Sequence, residues 1–259
     1  MSTKVYFLIQ AEHRVVRTLV FLLLLFVQIN AMTQEGVTTF GIQYNPIIPN
    51  RLIGMYSQDF VDTPMVARMQ QKFGNHFGGI VRHGFTKNFS METGLSFTQR
   101  NFNLFYEIED SGFSEKNDVR IPCYSVPLSG LVFIRLGDQF YMNTSLGVAM
   151  TLYPSAVQVF TEVTNTNYHF LMEAVYKSKV QGALLANLGF EYRTEKSGYL
   201  YFGATYNLPF APICAAALGF EYSGGDFVAV DWIPGSFLTL DLRYYFNEAK
   251  EKRFGENRD

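Results

Sequence analysis

The sequence has few cysteines, few histidines and no excess of either charge. Its 259 residues include two cysteines, Cys123 and Cys214, and four histidines, and the formal net charge is −2. Two cysteines are too few for a disulfide scaffold, and these two do not have the CxxC spacing of a zinc site. A nearly balanced charge without a basic stripe gives no footprint for nucleic acid. We therefore expect no nucleic-acid partner, no metal site and no cofactor.

Catalytic motifs are also missing from the sequence. It contains no HExxH, no GxSxG and no glycine-rich phosphate loop. Beyond residue 31 the histidines are His76, His83 and His169. His83 is expected near a periplasmic turn as an interfacial residue, and His169 has no obvious serine or aspartate partner at a telling spacing. The sequence therefore predicts that the protein is not an enzyme. A lipid-modifying enzyme remains an alternative, because loops distant in sequence can bring His, Ser and Asp together at the outer leaflet.

The long apolar run of the chain lies at its N-terminus. Basic residues from Lys4 to Arg17 precede the apolar run 19–27, and Ala31 follows it. A basic segment, about ten apolar residues and a small residue predict a cleaved secretory signal peptide over residues 1–31. The run is too short to span a bilayer as a helix, which takes roughly 20 residues. An uncleaved inner-membrane anchor is the alternative.

What the sequence does have is aromatic residues and alternation. Aromatic residues make up 16% and apolar residues 48%, yet the mean hydropathy is only +0.03. A mean hydropathy near zero, together with many Phe and Tyr residues, is typical of sheets whose strands alternate in polarity. Two-residue alternation predicts eight strands. They cover about residues 37–44, 76–85, 89–103, 120–136, 140–153, 180–193, 199–208 and 236–246.

The connections between these strands alternate in length. Short turns at 86–88, 137–139 and 194–198 are followed by long connections at about 45–75, 104–119, 154–179 and 209–234. This asymmetry is typical of outer-membrane barrels, whereas nothing requires it of a soluble barrel. The sequence predicts an all-β fold, a single eight-stranded antiparallel transmembrane β-barrel with short periplasmic turns and long extracellular loops. The barrel would span residues 32–246 in the outer membrane, with a short polar periplasmic tail at 247–259.

The two faces of the predicted strands differ in polarity. One face is continuously apolar and bulky, and the other carries charges and small polar residues. The charged face is expected to point inward, because a lysine or arginine facing lipid at mid-bilayer costs about 2–4 kcal/mol. Five charges lie at a similar height and predict a structural salt-bridge cluster that closes the lumen: Arg82, Glu92, Glu191, Asp241 and Arg243. A narrow channel or an uptake protein for small apolar ligands is the alternative, and it requires a path past this cluster.

Aromatic residues mark both ends of the predicted apolar band, as in outer-membrane barrels. The girdle near the short turns comprises Phe85, Phe89, Phe140, Tyr192, Tyr244 and Phe246. Tyr124, Tyr153 and Tyr206 are expected at the opposite end. The last strand ends in the aromatic residues 244–246 and resembles the terminal signal that the barrel-assembly machinery reads. The lipid bilayer and, during insertion, that machinery are therefore expected partners.

The long connections contain more apolar residues than solvated loops do. Candidates for contact with a partner are Phe160, Phe170, Phe220 and Trp232. Such apolar surface is expected to be buried, either in a self-packed cap over the barrel mouth or against another protein. A disulfide between Cys123 and Cys214 and two free buried thiols fit the sequence equally well.

Several segments resemble those of a known family. They are the run Phe40-Gly-Ile-Gln-Tyr-Asn-Pro46, the run Met91-Glu-Thr-Gly-Leu-Ser-Phe-Thr-Gln-Arg100, Arg120-Ile-Pro122 and Val126-Pro-Leu128. Together they resemble the PorT-like small outer-membrane β-barrels of Bacteroidetes-type Gram-negative bacteria. The resemblance covers the mature chain as a pattern and brings no catalytic residue. It implies a barrel similar to the OmpA transmembrane domain, and an interaction role in the cell envelope beside another outer-membrane or secretion-complex protein.

Overall fold

Every regular element in the described part of the chain is a β-strand. The structure is a computed structural model that describes residues 36–49, 57–62, 65–108, 113–154, 157–162, 169–176, 178–194, 197–222 and 225–246. The predicted signal peptide and polar tail lie outside these residues. The fifteen strands are β1 (Thr38–Tyr44), β2 (Ile47–Ile48), β3 (Ser57–Asp62), β4 (Met65–Gln71), β5 (Asn75–Gly84), β6 (Phe89–Ile108), β7 (Phe113–Arg135), β8 (Phe140–Leu152), β9 (Val157–Glu162), β10 (His169–Val175), β11 (Val180–Thr194), β12 (Gly198–Pro209), β13 (Cys214–Tyr222), β14 (Gly225–Ile233) and β15 (Phe237–Tyr245).

Eight of these strands close into a ring. In the order β1, β5, β6, β7, β8, β11, β12 and β15, each strand pairs antiparallel with the next. The ring closes where β15 pairs with β1, with Gln43 opposite Arg243. These are the eight strands that the alternation predicts, so the all-β fold and the eight-stranded antiparallel ring are confirmed. All strands belong to one unit, Val37–Asp259.

The two ends of the ring differ in their connections. Residues 85–88 and 136–139 join neighbouring ring strands at one end, which we call the turn end, and β11 and β12 also pair up to Thr194 opposite Gly198 there. Gly198 begins β12 with a φ of 88°, a left-handed conformation that glycine adopts without strain. The other end, which carries the longer connections, is called the loop end.

The loop end consists largely of further strands. Strands β3 and β4, β9 and β10, and β13 and β14 form antiparallel hairpins. Residues 104–108 and 113–119, predicted as part of a loop, belong to the paired outer parts of β6 and β7, which stay in register as far as Ile108 opposite Phe113. Alternation continues through this segment and gives the backbone a ladder of hydrogen bonds, so the segment is a strand pair. We call β3, β4, β9, β10, β13, β14 and residues 101–108 and 113–120 the extension.

The extension is built from two sheets with an apolar interior. Strands β3 and β4 and the outer parts of β6 and β7 form one sheet, and β14, β13, β10 and β9 form the other. The Tyr106 ring on β6 packs on the Phe170 ring on β10, with centroids 4.5 Å apart, and so joins the two sheets. Further members of this core include Met69, Phe102, Leu104, Ile121, Met172, Ile213, Leu218 and Ile233. An apolar core thus lies directly beyond the loop end of the ring.

Candidate functional site

The outward face of the ring is apolar on every strand. Phe40, Leu95 and Leu146 are each more than 60% exposed. Exposed apolar residues on the other five strands include Phe77, Val132, Leu188, Phe202 and Leu242. Soluble monomers rarely expose a contiguous apolar patch larger than a few hundred Å². A belt that runs around the whole ring is instead suited to contact with hydrocarbon.

The height of this belt matches that of a membrane. On β7 the outward apolar face extends from Tyr124 to Ile134, about ten residues, or about 33 Å along the strand at roughly 3.3 Å per residue. With the tilt of about 40° that is usual in membrane barrels, the belt is about 25 Å tall, the typical value for an outer-membrane protein.

Aromatic residues border the belt at both ends. The six predicted girdle residues at the turn end, Phe85, Phe89, Phe140, Tyr192, Tyr244 and Phe246, are exposed or partly exposed there. At the loop end the Phe77, Phe97 and Tyr124 rings form a row with centroids 5.3 and 5.4 Å apart. Tyr153, expected in this row, is instead buried, because β8 turns odd-numbered residues inward, and it stacks on Tyr176 at 5.0 Å.

The inward face of the ring carries a cluster of six charges near the turn end. Five of them are the predicted residues Arg82, Glu92, Glu191, Asp241 and Arg243, and the sixth is Arg193. Three arginines therefore face three carboxylates, and the cluster is electrically balanced. Buried charges are tolerated when they are paired and hydrogen-bonded, so the balance explains how the ring accommodates them.

The ion pairs cross the lumen from wall to wall. Arg82 on β5 donates from Nη1 to Glu191 Oε2 at 2.5 Å. Four steps around the ring separate β5 from β11 in either direction, so this contact links opposite walls. Arg243 on β15 donates to Glu92 Oε1 at 2.6 Å and to Asp241 Oδ2 at 2.8 Å. The chain of contacts thus spans the lumen of the ring near the turn end.

Neutral groups complete the contacts of the carboxylates. Asp241 accepts hydrogen bonds from Asn187 Nδ2 at 2.8 Å, from Thr239 Oγ1 at 2.7 Å and from the Thr205 hydroxyl. Glu92 accepts a hydrogen bond from the Tyr245 hydroxyl at 2.5 Å. Asp241 and Glu92 therefore have several partners each, which compensates for much of their lost hydration.

Aromatic rings enclose the cluster, and sequence reasoning missed them. Arg82 lies 3.7 Å from the centroid of the Tyr245 ring, and Arg193 lies 4.2 Å from that of Tyr141. The Tyr201 hydroxyl donates to Asn187 Oδ1 at 2.7 Å and crosses the faces of Gly189 and Gly203, where a Cβ would come within 2.3 Å of it. The sequence did contain a signal for these contacts. Alternation places Arg193 on the same face as Glu191, and it places Tyr201 and Tyr245 on the face opposite the girdle residues.

The inward and outward faces of β6 exchange their polarity at the loop end of the ring. On β6 the inward residues are polar from Ser90 to Arg100 and apolar from Phe102 to Ile108. The outward residues change in the opposite sense, from Leu95 and Phe97 to Gln99, Asn101 and Asn103. The polar lumen therefore ends against the apolar core of the extension.

Two small cavities remain between the ion-pair cluster and the extension core. The larger, of about 60 Å³, is lined by Gln43, Ser129, Asn187, Thr239 and Arg243 among others. A buried water needs roughly 10–15 Å³, so this cavity has room for a few waters. The smaller, of about 20 Å³, lies beside Arg100 and shares His76, Ser125, Asn207 and Phe237 with the larger one. The space between the cluster and the core is thus small and largely polar.

The four loop residues predicted to meet a partner have different environments. Trp232 on β14 is 48% exposed. Phe170 is only 2% exposed in the extension core, which corrects the expectation that it faces a partner. Phe160 and Phe220 belong to β9 and β13, and their side chains lie outside the described residues.

The two cysteines share the extension core but form no bond. Cys123 and Cys214 are both free and buried. Burial raises the pKa of the Cys214 thiol above its ordinary value, which favours the protonated form.

The described residues contain no group of three or more His, Cys, Asp or Glu that could hold a metal ion. No helix in that part of the chain is long and apolar enough to cross a membrane. His76 contacts Thr98 Oγ1 at 2.8 Å and Gln43 Nε2 at 3.3 Å, and His83 contacts Thr38 Oγ1 at 2.8 Å. These two histidines therefore have polar partners within the ring wall.

Comparison with known proteins gives weak likenesses. No protein-family description and no curated protein matches the sequence. Among solved structures, the outer membrane protein OprG from Pseudomonas aeruginosa is 14% identical, with 83% of this chain and 98% of that chain covered and a TM-score of 0.47. The β-domain of the Bordetella autotransporter BrkA is 10% identical, with 82% and 99% covered and a TM-score of 0.30. The translocator domain of the autotransporter NalP from Neisseria meningitidis is 8% identical, with 84% and 90% covered and a TM-score of 0.23. With TM-scores below 0.5, these likenesses do not assign a family or a function.

Proposed function

We propose that the protein is an integral β-barrel of the outer membrane, with its extension outside the cell and its short turns in the periplasm. The exchange of polarity along β6 carries this proposal. Met91, Leu95 and Phe97 present apolar side chains outward and residues 99, 101 and 103 present polar ones, while the inward face changes in the opposite sense. A strand that passes from lipid into water needs this reversal. The orientation follows the rule that outer-membrane barrels keep short turns in the periplasm.

Membrane fractionation and gel mobility test the location. The protein is expected in the outer-membrane fraction, and it should migrate faster on a gel when unheated than after boiling. Protease added to intact cells should cut within the extension and leave the ring strands intact. Recovery in the soluble fraction, or a mobility that heating does not change, would contradict the proposal.

We further propose that the barrel does not conduct and has no enzymatic activity. The support for a lumen that does not conduct is the set of ion pairs that cross it near the turn end, together with the apolar core at the loop end. The protein reconstituted in planar bilayers should therefore give no steady single-channel steps. Reproducible steps would favour the alternative of a narrow channel.

The proposed role is that of an interaction component, through a groove in the extension. The groove has a volume of about 400 Å³ and is lined by residues 59–61 of β3 and 228–231 of β14. Val61 and Val230 there are 67% and 62% exposed. Gln58 Nε2 donates to Asp231 Oδ2 at 2.5 Å across the two strands. Exposed valines beyond the membrane belt fit contact with another protein, and the PorT-like resemblance suggests a secretion or surface-assembly complex.

Site-specific crosslinking tests this role. A photo-crosslinking amino acid at Val230 should give one recurrent adduct with another envelope protein in intact cells. The matched control is the same amino acid at His169, which is exposed on the outward face of β10. Val228→Asp should abolish the Val230 adduct while leaving gel mobility unchanged. Equal adducts from both positions, or none from Val230, would argue against a docking groove.

A further inference from the structure

Arg100 is a buried cation at the boundary between the polar lumen and the apolar core of the extension. It lies on the inward face of β6 and is 1% exposed. Its Nη1 donates to the Gly235 carbonyl at 2.9 Å, and its guanidinium lies 5.1 Å from the centroids of both the Phe102 and the Phe237 rings. A Cβ on residue 235 would come within 2.3 Å of Ile213 Cγ2 and 3.1 Å of Nη1, so glycine is needed for this approach.

Two nitrogen atoms of this guanidinium have no partner. Within the described residues, neither Nε nor Nη2 of Arg100 has a hydrogen-bond acceptor. Arginine keeps its charge in proteins, so it cannot respond to burial by losing a proton. An unpaired buried donor is costly, and an unpaired buried charge is more so.

The charge of Arg100 is also unbalanced. The cluster near the turn end neutralises itself, because Arg82, Arg193 and Arg243 are paired with three carboxylates. The ionisable groups that interact with Arg100 are instead the hydroxyls of Tyr153 and Tyr176 and the thiols of Cys123 and Cys214. These groups are neutral in their protonated forms and supply no negative charge near pH 7.

The space beside Arg100 limits what can supply that charge. The cavity of about 20 Å³ is lined by Arg100 together with Thr98, Thr151, Tyr153 and Gln181. Since one water requires roughly 10–15 Å³, the cavity holds one or two particles of that size. A single-atom anion fits, whereas a phosphate, a sulfate or an organic carboxylate is too large.

We propose that Arg100 forms a binding site for one halide ion, such as chloride, at the loop end of the lumen. The ion accepts hydrogen bonds from the two unpaired guanidinium nitrogens and neutralises the one lumen charge that lacks a carboxylate in the described part of the chain. Water is the competing occupant, because the unpaired Gln181 Oε1 also lines the cavity and is an acceptor. The site does not depend on the docking groove proposed above.

Halide titration of the purified protein in detergent tests the site. Chloride replaces gluconate at constant ionic strength, and the temperature at which half of the protein loses its fast gel mobility is measured. An ion that binds only the folded state stabilises it, so this temperature should rise and saturate with chloride. Gluconate is too large to enter. A temperature that is unchanged by chloride would overturn the proposal and leave water as the occupant.

Substitutions test whether Arg100 is responsible for the chloride dependence. Arg100→Met should lose the chloride dependence. The matched control is Arg120→Met, because Arg120 is exposed on the outward face of β7 opposite Asn101 and should leave the dependence intact. If Arg100→Met does not fold, Arg100→Lys keeps the charge and should retain a weaker dependence. Equal chloride dependence in wild type and Arg100→Met would also reject the site.

Bromide gives a direct readout in crystals of the wild-type protein. An anomalous difference peak is expected within hydrogen-bond distance of Arg100 Nε and Nη2. Bromide peaks only on the outer surface would show that the lumen does not bind halide, independently of any variant.

Discussion

The ring and the part of the extension that continues the same sheet have opposite surroundings on their two faces. In the ring, the outward face of β6 carries Leu95 and the inward face carries Glu92. Some ten residues further along the same strand, the outward face carries Asn103 and the inward face carries Leu104. The backbone pairing with β7 is almost continuous through this change. The backbone of the strand is therefore paired in the same way in both halves. The side chains alone determine whether the outward face of each half suits lipid or water.

The two halves also differ in what fills them. The ring is narrow and is filled by ion pairs with directional hydrogen bonds, whereas the extension is filled by apolar side chains. Removing one partner from a buried ion pair leaves a charge with no solvation, which costs more than a lost apolar contact of similar size. Mutations inside the ring should therefore be more damaging than mutations inside the extension.

The largest effect is expected inside the ring. Glu191→Ala removes the carboxylate that pairs with Arg193 and the nearer of the two carboxylates that pair with Arg82. We expect the free energy of unfolding, measured by denaturant titration in detergent, to fall by about 3–5 kcal/mol, as for other broken buried pairs. Asp138→Ala is the control, because it breaks the exposed pair with Arg135 and should change little. A loss for Glu191→Ala as small as for the control would mean that the cluster does not support the ring.

The second-largest effect is expected on the outward face of the ring. Leu95→Arg places a charge in the belt and should cost about 2–4 kcal/mol if that face meets lipid. Phe105→Arg is the matched control, because Phe105 is exposed on the same face of the same strand but belongs to the extension. The yield of protein with fast gel mobility in the outer-membrane fraction should fall only for Leu95→Arg. Equal yields for the two variants would remove the evidence for a membrane boundary between them.

A smaller and more local effect is expected in the extension core. Met172→Ala opens a cavity beside Phe170 and should cost about 2–3 kcal/mol, the lower part of the range for such changes, because the β9–β10 and β13–β14 hairpins can relax. Protease added from outside and a maleimide that reacts with Cys214 should both act faster, while gel mobility stays unchanged. Loss of gel mobility would mean that the ring depends on the extension to fold.

The same comparison explains what the sequence could predict. The eight ring strands were predictable because large apolar residues alternate with small or polar ones, as in Phe140 to Leu152 of β8. The predicted third strand ends at Asn103, whereas β6 ends at Ile108. Phe102, Leu104, Tyr106 and Ile108 also alternate, but with the apolar face turned inward. The alternation of apolar and polar residues thus continues, but the apolar residues change from one face of the strand to the other. A pattern that follows only one face therefore predicts that the strand ends at this point.

The lumen cluster was predictable in its members but not in its contacts. Alternation put Arg82, Glu92, Glu191, Asp241 and Arg243 on one face, and the structure brings these side chains together. The alternation could not indicate that Arg82 reaches Glu191 across the ring, because that contact depends on the diameter and the stagger of the closed sheet. Nor could it single out Arg100, whose isolation is evident only once its neighbours are known to be neutral.

The smallest effect is expected on the outer face of the extension. Lys72 Nζ lies 2.9 Å from Asp118 Oδ1, and both side chains are well exposed. Asp118→Asn should change the free energy of unfolding by less than about 1 kcal/mol, because water and salt screen an exposed pair. Glu191→Gln makes the same acid-to-amide change inside the ring. It should cost several times more, because little water is available there to solvate the arginines that lose a carboxylate partner. Measuring both in the same detergent at low and high salt compares the two faces of the wall directly. If Asp118→Asn proved as costly as Glu191→Gln, or as insensitive to salt, the outer face of the extension would not be in water.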